Sequence, residues 1–261
     1  MSDPRPGVLD PLVVEARFNG PPQSGNGGFV AGRLARRLHA RTVEVTLRAP
    51  PPLGVPLQVR ARADGGLALH DGDTLLAEAR AAGLELDVPP APAYDDAHAA
   101  GALGRMRAGS RTGNPYLRCF GCGIERHDGL RIIPSPVGET GLVATTWTPD
   151  ATLAAPGRPA GTEPASTADC EVAAEIVWAA LDCPAGIAWV HRLPDAPPLV
   201  TGRITACIDA PIHTGEPHIV IGWPIARDGR KLYAGTAVFD ARGGLRARSL
   251  QLWLVPREAA A

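Results

Sequence analysis

An acidic residue stands in the most apolar stretch of the chain. Asp182 follows Trp178-Ala179-Ala180-Leu181 and precedes Cys183 and Pro184. A carboxylate removed from water has a raised pKa, and such a group can activate water as a general base or act as a nucleophile. The alternative is a helix-ending acid satisfied by nearby hydroxyls, although an acid at a helix C-terminus opposes the helix dipole. The position therefore favours a catalytic role for Asp182.

A second carboxylate lies on the same segment. Glu171 and Glu175 are four residues apart and share one helix face, and Glu175 is three residues before Trp178. A solvated helix face is the simpler interpretation of this pair. We also place Glu175 and Trp178 beside the substrate, with Glu175 as the second candidate base.

Cys119-x-x-Cys122 has the spacing of half a zinc site. Tetrahedral zinc needs four donors, and the nearest further ligands are His127 and the distant Cys170 and Cys183. Because there is no second Cys-x-x-Cys and no His-x-x-x-His, we expect a tight turn with small buried thiols and no metal or cofactor. The histidines are scattered and a Gly-x-Ser-x-Gly elbow is missing, which argues against a serine hydrolase.

Two segments have helical periodicity. The first covers about residues 28–38, with apolar residues on one side and arginines on the other. The second begins near Thr167 or Asp169, which can cap it, and ends at Asp182, because Pro184 and Gly186 follow. This prediction places Asp182 at the end of a helix.

Alternating apolar and polar residues predict strands over the rest of the chain. The predicted strands are 43–48, 57–62, 75–80, 141–147, 199–209, 218–223, 231–239 and 245–255. Arginines at the outward positions indicate sheets with one wet face.

The two halves of the chain repeat one pattern. The frame Ala-Pro-x-x-x-Gly-x-Pro occurs at 49–56 and again at 210–217, and an Asp-Gly hairpin occurs at 71–72 and 228–229. Each half therefore consists of a strand, a helix and a meander of about four strands. We predict one unit over residues 1–90, a Pro- and Ala-rich linker over 91–114 and a second unit over 115–257.

Composition excludes several classes of protein. The chain has 30 Gly and 27 Pro among 261 residues, but 45% of its residues are hydrophobic, so it can fold into a globular core. A net charge of −1 argues against a nucleic-acid or anionic-membrane surface. The N-terminus lacks an apolar signal region and the longest apolar stretch is too short to span a membrane. We expect a cytoplasmic protein with reduced cysteines.

The duplicated pattern resembles the double hotdog fold of acyl-CoA thioesterases. Residues 25–31, Gly-Asn-Gly-Gly-Phe-Val-Ala, look like the opening of the first hotdog helix in the acyl-CoA thioesterase II family. The resemblance implies an α+β fold of two antiparallel sheets, each wrapping a central helix. Asn26, Gly27 and Gly28 would then bind substrate, since bare amides at a helix N-terminus can approach a thioester carbonyl or a phosphate closely.

The second half carries the family's catalytic pattern. The thioesterase II family has an Asp on the second helix, a Thr on the following strand and a Gln on the last strand. Asp182, Thr201 and Gln251 stand at the matching positions, and Gly244-Leu245 opens the Gly-Leu-x-Ala-x-x-x-Gln ending. The resemblance implies that Asp182 activates water and that Thr201 and Gln251 hold it.

The sequence lacks motifs of other hotdog families, and this limits the expected number of active sites and the expected reaction. Asn26 stands where a His-Gly-Gly motif has its His, and Ala35 stands where single-domain hotdog thioesterases have an acid. One active site in the duplicated chain is therefore favoured over two. A His-Phe-Pro-Gly segment is missing, which argues against a hydroxyacyl dehydratase. The Cys119-Phe120-x-Cys122-Gly123 segment is similar to uncharacterised hotdog proteins of high-GC bacteria.

The sequence thus predicts a hydrolase that cleaves an acyl-CoA thioester, with the acyl chain against Ile176, Trp178 and Trp189. The alternative is a non-catalytic hotdog protein that binds an acyl group or another small ligand. We expect a homodimer or larger homo-oligomer, since unpaired sheet edges favour association.

Overall fold

A computed structural model describes residues 8–110, 114–155, 170–193, 195 and 198–256. The helices within these residues are α1 (Gly27–Ala35), α2 (Tyr94–Ser110) and α3 (Ala174–Val190). The strands of the first half are β1 (Val8–Val13), β2 (Thr42–Leu47), β3 (Pro56–Ala61), β4 (Leu67–Asp71) and β5 (Thr74–Ala81). The strands of the second half are β6 (Ser135–Pro136), β7 (Val143–Trp147), β8 (Val200–Ile208), β9 (His218–Asp228), β10 (Lys231–Asp240) and β11 (Leu245–Leu254). All eight strands with predicted residue ranges are present, and the structure adds β1, β4 and β6, for which the sequence had given no range.

The strands form one antiparallel sheet and not the two sheets that the sequence suggested. The order across its 11 strands is β1-β3-β4-β5-β2-β8-β11-β10-β9-β7-β6. The two halves join where β2 pairs antiparallel with β8, for example Val43 opposite Ala206 and Val45 opposite Ile204. The joint removes two edges, so β1 and the two-residue β6 are the outer strands. Association between copies stays a prediction.

The strand order confirms the internal repeat and corrects part of its alignment. Both halves run in the same order outward from the joint, and Gly54 and Gly215 occupy equivalent connections with φ of 74° and 78°. The two Asp-Gly turns are not equivalent, because Gly72 joins β4 to β5 whereas Gly229 joins β9 to β10. Both turns need a left-handed residue, so the shared motif reflects hairpin chemistry and not the repeat.

Helices α1 and α3 lie side by side on one face of the sheet. They cross so closely that a Cβ added to Gly32 would lie 2.6 Å from Glu175 Cα and 2.9 Å from Trp178 Cβ. Their apolar residues, among them Phe29, Leu34 and Leu181, are buried with inward residues of both halves of the sheet. The main core is therefore shared between the two halves of the chain.

Helix α3 differs from its prediction at both ends. Thr167 and Asp169 lie outside the described residues, and the helix begins at Ala174 without a side-chain cap. At the other end it continues through Pro184 to Val190. Proline inside a helix costs about 3 kcal/mol, but nearly all side chains of α3 are buried, so packing outweighs the local signal. Asp182 consequently lies within the helix, so its predicted position at the C-terminus, against the helix dipole, was wrong.

The segment expected as a linker contains α2, which packs against the second half. Ala97 of α2 is buried with Ile219 and Ile221 of β9, on the sheet face opposite Val220, which belongs to the main core. Both faces of β9 are covered there, so the expected wet face is missing at this strand. The division into residues 1–90, 91–114 and 115–257 remains a prediction. None of the helices described is long and apolar enough to cross a bilayer.

Candidate active site

A cavity of about 410 Å³ lies where the N-terminus of α1 meets the middle of α3. Its lining residues belong to the segments 20–27, 47–51, 114–122, 182–190, 198–201 and 253–254. Most of this lining is apolar, and Asp182 is a lining residue. A cavity that combines apolar walls with a few convergent polar groups is typical of a small-molecule site.

The Asp182 carboxylate is held by one group from each neighbouring element. Its Oδ2 accepts a hydrogen bond from the Gly28 backbone N–H at 2.9 Å, and its Oδ1 accepts one from the Thr201 hydroxyl at 2.8 Å. The side chain is buried, and burial raises the pKa of Asp182 to about 7, although Gly28, Thr201 and Asn26 act in the opposite direction. Such a carboxyl group changes protonation state near neutral pH and can exchange a proton with water there.

Glycine at position 28 permits this arrangement. A Cβ on Gly28 would lie against the Trp178 carbonyl oxygen and 2.7 Å from Asp182 Cβ. Asn26 caps α1, since its Oδ1 accepts a hydrogen bond from the Phe29 N–H at 2.9 Å. Gly27 is the first residue of the helix and also lines the cavity. The glycine-rich opening of α1 thus brings helix-terminal amides up to the carboxylate.

A bulge in the sheet places Thr201 at the site. Thr201 of β8 is opposite Trp253 of β11, but the next pair is Arg203 with Leu252, so the register slips at Gly202. Bulges re-aim neighbouring side chains and are common beside active sites. The slip accompanies the bond from Thr201 to Asp182.

Gln251 is not among the lining residues of this cavity, but it is hydrogen-bonded to Trp253, which is. Its Nε2 donates to the Leu181 carbonyl oxygen at 2.7 Å and to Ser249 Oγ at 2.8 Å, while its Oε1 accepts from Trp253 Nε1 at 2.8 Å. The indole N–H can only donate, which fixes the orientation of the amide. The sequence had suggested that Gln251 acts beside the Asp182 carboxylate. The structure instead gives its amide these other partners.

Glu175 and Trp178 also lie away from the cavity. Trp178 is buried at the crossing of the two helices. Glu175 accepts hydrogen bonds from Arg36 at 2.9 and 3.1 Å, and its carboxylate is 3.9 Å from Arg33 Nε. This ion pair occupies the opposite end of the helix pair, where Ala35 is buried on α1. The described residues thus place a buried acid and helix-terminal amides together at one end of the pair.

Three thiols form a second cluster in the cavity wall. Cys119, Cys122 and Cys183 have sulfur atoms within 4.8 Å of one another, and all three are free. Hydrogen bonds from the Cys122 and Cys183 side chains, with backbone N–H groups of Cys122 and Gly121, lower the pKa of the Cys119 thiol. The Cys-x-x-Cys spacing signalled two of these residues, and the sequence offered Cys183 among several distant candidates for a further ligand, but only the fold shows that Cys183 lies beside them.

Other lining residues gave no signal in the sequence. Tyr116 lines the cavity, its hydroxyl donates to the Leu199 carbonyl oxygen at 2.7 Å, and burial raises its pKa. Ile187 and Val190 line the wall because α3 continues past Pro184. Ile176 and Trp189, expected beside the acyl chain, are not among the lining residues of this cavity.

Comparisons with solved structures identify the architecture. No protein-family model and no curated protein matches the chain. A candidate thioesterase II from Thermobifida fusca YX is 16% identical and matches with a TM-score of 0.59, over 98% of this chain and 100% of that one. The tesB protein of Mycobacterium avium subs paratuberculosis is 15% identical, with a TM-score of 0.52 over 98% and 95% of the two chains.

A hot dog fold protein of unknown function from Alicyclobacillus acidocaldarius is 14% identical and has a TM-score of 0.55, over 99% of this chain and 96% of that one. These near full-length matches confirm the expected double hotdog architecture. At such identities the likeness establishes the fold, and the chemistry has to be argued from the site itself.

Proposed function

We propose that this protein hydrolyses an acyl thioester of the acyl-CoA class, with Asp182 as the general base for a water molecule. The supporting observation is the buried Asp182 carboxylate, held between the Gly28 N–H and the Thr201 hydroxyl in the wall of an apolar cavity. The candidate thioesterase II and the tesB protein, which have the same fold, support this class of reaction.

Asp182 is the base, and Thr201 orients it. A carboxylate with a pKa of about 7 is substantially ionised at neutral pH and still basic enough to take a proton from attacking water. The bonds to Gly28 and Thr201 fix the carboxylate and favour its charged form. Thr201 thus orients the base, and we assign its hydroxyl to the same water.

The N-terminus of α1 supplies the hydrogen-bond donor for the thioester oxygen. The first N–H groups of a helix have no partner within the helix, and Gly28 and Phe29 donate theirs to Asp182 and Asn26. The Gly27 N–H is the neighbouring donor at the cavity, so we assign it to the thioester oxygen, where negative charge develops as water attacks.

The rest of the cavity suits an acyl group and a carrier. Leu47, Ile187, Val190 and Leu199 form apolar lining for the acyl chain, in place of the residues expected from the sequence. Arg48 also lines the cavity and is half-exposed, although it pairs with Glu78 at 2.7 Å. We assign Arg48 to the phosphates of CoA.

Gln251 then acts as a positioning residue. Its bonds to the Leu181 carbonyl oxygen and to Trp253 tie the helix segment before Asp182 to the last strand. Since Trp253 lines the cavity, Gln251 affects both the base and the wall without contacting the water.

The experiment is CoA release from a panel of acyl-CoAs by wild type, Asp182→Asn and Glu175→Gln. Glu175 is the matched control, because it is a buried acid on the same helix outside this cavity. We expect hydrolysis to fall in Asp182→Asn and to persist in Glu175→Gln. Hydrolysis that is unchanged in Asp182→Asn would exclude this mechanism.

One observation favours the alternative, a protein that binds an acyl group without turnover. Both Asp182 oxygens already accept hydrogen bonds from the protein, as a structural acid would. The alternative predicts that acyl-CoA binds to wild type without CoA release. Calorimetric titration with a non-hydrolysable thioether analogue, beside the release assay, separates binding from turnover.

A further inference from the structure

The three thiols in the cavity wall lie at distances suited to one metal ion. The sulfur atoms of Cys119 and Cys183 are 3.8 Å apart, and Cys122 lies within 4.8 Å of both. With Zn–S bonds of about 2.3 Å, tetrahedral coordination sets sulfur atoms about 3.8 Å apart. The Cys119–Cys183 pair already has this separation, and a shift of at most about 1 Å by Cys122 would complete a triangular set of ligands.

A tight turn holds two of the three thiols together. The bond from the Gly123 N–H to the Cys119 carbonyl oxygen at 2.8 Å closes this turn. The backbone between Cys119 and Cys122 therefore fixes both ligands of the Cys-x-x-Cys pair on one side of the cavity wall.

The packing keeps the third thiol close to the turn. A Cβ on Gly121 would lie 2.8 Å from the Cys183 sulfur, so glycine there allows α3 to approach the turn. The side-chain amide of Asn26 lies 3.8 Å from the Cys119 sulfur and 4.0 Å from the Cys183 sulfur. Outer-shell donors of this kind orient metal ligands and tune them.

We propose that Cys119, Cys122 and Cys183 bind one thiophilic metal ion of the zinc type. All three residues line the cavity, so the fourth coordination position is open to a water molecule or a ligand in it. The sequence predicted no metal because it has no second Cys-x-x-Cys and no His-x-x-x-His to complete a set of four donors. The inference does not rest on the proposed hydrolysis.

The test is metal binding by reduced, metal-free protein in the absence of any thioester. Zn²⁺ is titrated against a chromophoric chelator, and Co²⁺ is added to report sulfur coordination through its absorption spectrum. We expect one ion per chain, with the charge-transfer and ligand-field bands of tetrahedral cobalt–thiolate. Because no thioester is present, this result is separate from the outcome of the CoA-release assay.

Single serine variants locate the site. Cys122→Ser and Cys183→Ser should weaken zinc binding by more than the 10–100-fold that outer-shell changes cost. Cys207→Ser is the matched control, because Cys207 is a buried free cysteine outside the cluster. It should bind zinc like wild type.

Alkylation of wild type covers the case in which Cys183→Ser does not fold. Zinc should slow alkylation of Cys119, Cys122 and Cys183 and leave Cys170 and Cys207 unchanged. The proposal is overturned if reduced wild type takes up no zinc, if a folded Cys183→Ser variant binds it equally well, or if zinc protects none of the three thiols.

Discussion

Replacing Asp182 with Asn should stabilise the fold while it removes activity. The substitution keeps the shape of the side chain, since the amide oxygen can still accept from the Gly28 N–H and the amide nitrogen can donate to Thr201 Oγ1. It removes the charge that burial disfavours. Buried catalytic acids are costly to the native state, and this trade-off between stability and activity can be measured here.

The size of the expected stability gain follows from the pKa of Asp182, which burial raises from 3.8 to about 7. The unfolded chain holds this carboxyl group ionised above about pH 4, whereas the folded chain keeps it protonated up to about pH 7. Ionisation therefore disfavours folding increasingly over this window. At about 1.36 kcal/mol per pKa unit, the cost reaches about 4 kcal/mol above pH 7 and vanishes below pH 4.

Urea unfolding between pH 4 and pH 8.5, with EDTA and a reductant, measures this cost. The free energy of unfolding of Asp182→Asn should exceed that of wild type by up to about 4 kcal/mol at pH 8.5, and the difference should shrink by about 1.4 kcal/mol per pH unit below pH 7. In the CoA-release assay, kcat/KM should fall by about 10²–10⁴, the usual contribution of a general base.

The control is Glu175→Gln, which removes the ion pair with Arg36 and should lower the free energy of unfolding by about 1 kcal/mol. A stability difference between Asp182→Asn and wild type that stays constant with pH would refute the reasoning about burial. Full activity of Asp182→Asn would refute its role as the base.

Substitutions at Thr201, Gly28 and His218 test other contacts of the site and the fold. Thr201→Val removes the 2.8 Å bond to Asp182 and should lower kcat/KM by about 10- to 100-fold, because a hydrogen bond to a charged group contributes about 1.5–3 kcal/mol. Thr201→Ser keeps the hydroxyl and should retain activity. Both variants are checked by measuring kcat/KM as a function of pH. Gly28→Ala places a Cβ against the Trp178 carbonyl oxygen and should destabilise the helix crossing by at least about 1–3 kcal/mol, whereas an unchanged Tm would contradict the close packing. Burial lowers the pKa of His218, so the unfolded chain takes up a proton below about pH 6.5 before the folded chain does. Wild type should therefore lose stability from pH 7 to pH 5 relative to His218→Gln, and parallel stability curves would show that His218 does not cause the loss.

Part of the candidate site could be predicted from the sequence. Asp182 stands out because a carboxylate within an apolar helical stretch is unusual, and Gly27-Gly28 marks the start of α1. Gln251 could not be placed in this way, because the position of a strand residue relative to a cavity depends on how the strand packs. The hydrogen bonds of its amide go to the Leu181 carbonyl oxygen and to Trp253.

Local sequence patterns by themselves determined the eight predicted strands, the two helical segments and the repeat marked by Gly54 and Gly215, because strands and turns depend mainly on neighbouring residues. Tertiary structure decided what depends on distant residues. The pairing of β2 with β8 joins the halves into one sheet, and packing carries α3 through Pro184. The same packing brings Cys183 within 3.8 Å of Cys119, 64 residues earlier in the chain. Such contacts arise from burying the two helices against one sheet, and no local pattern encodes them.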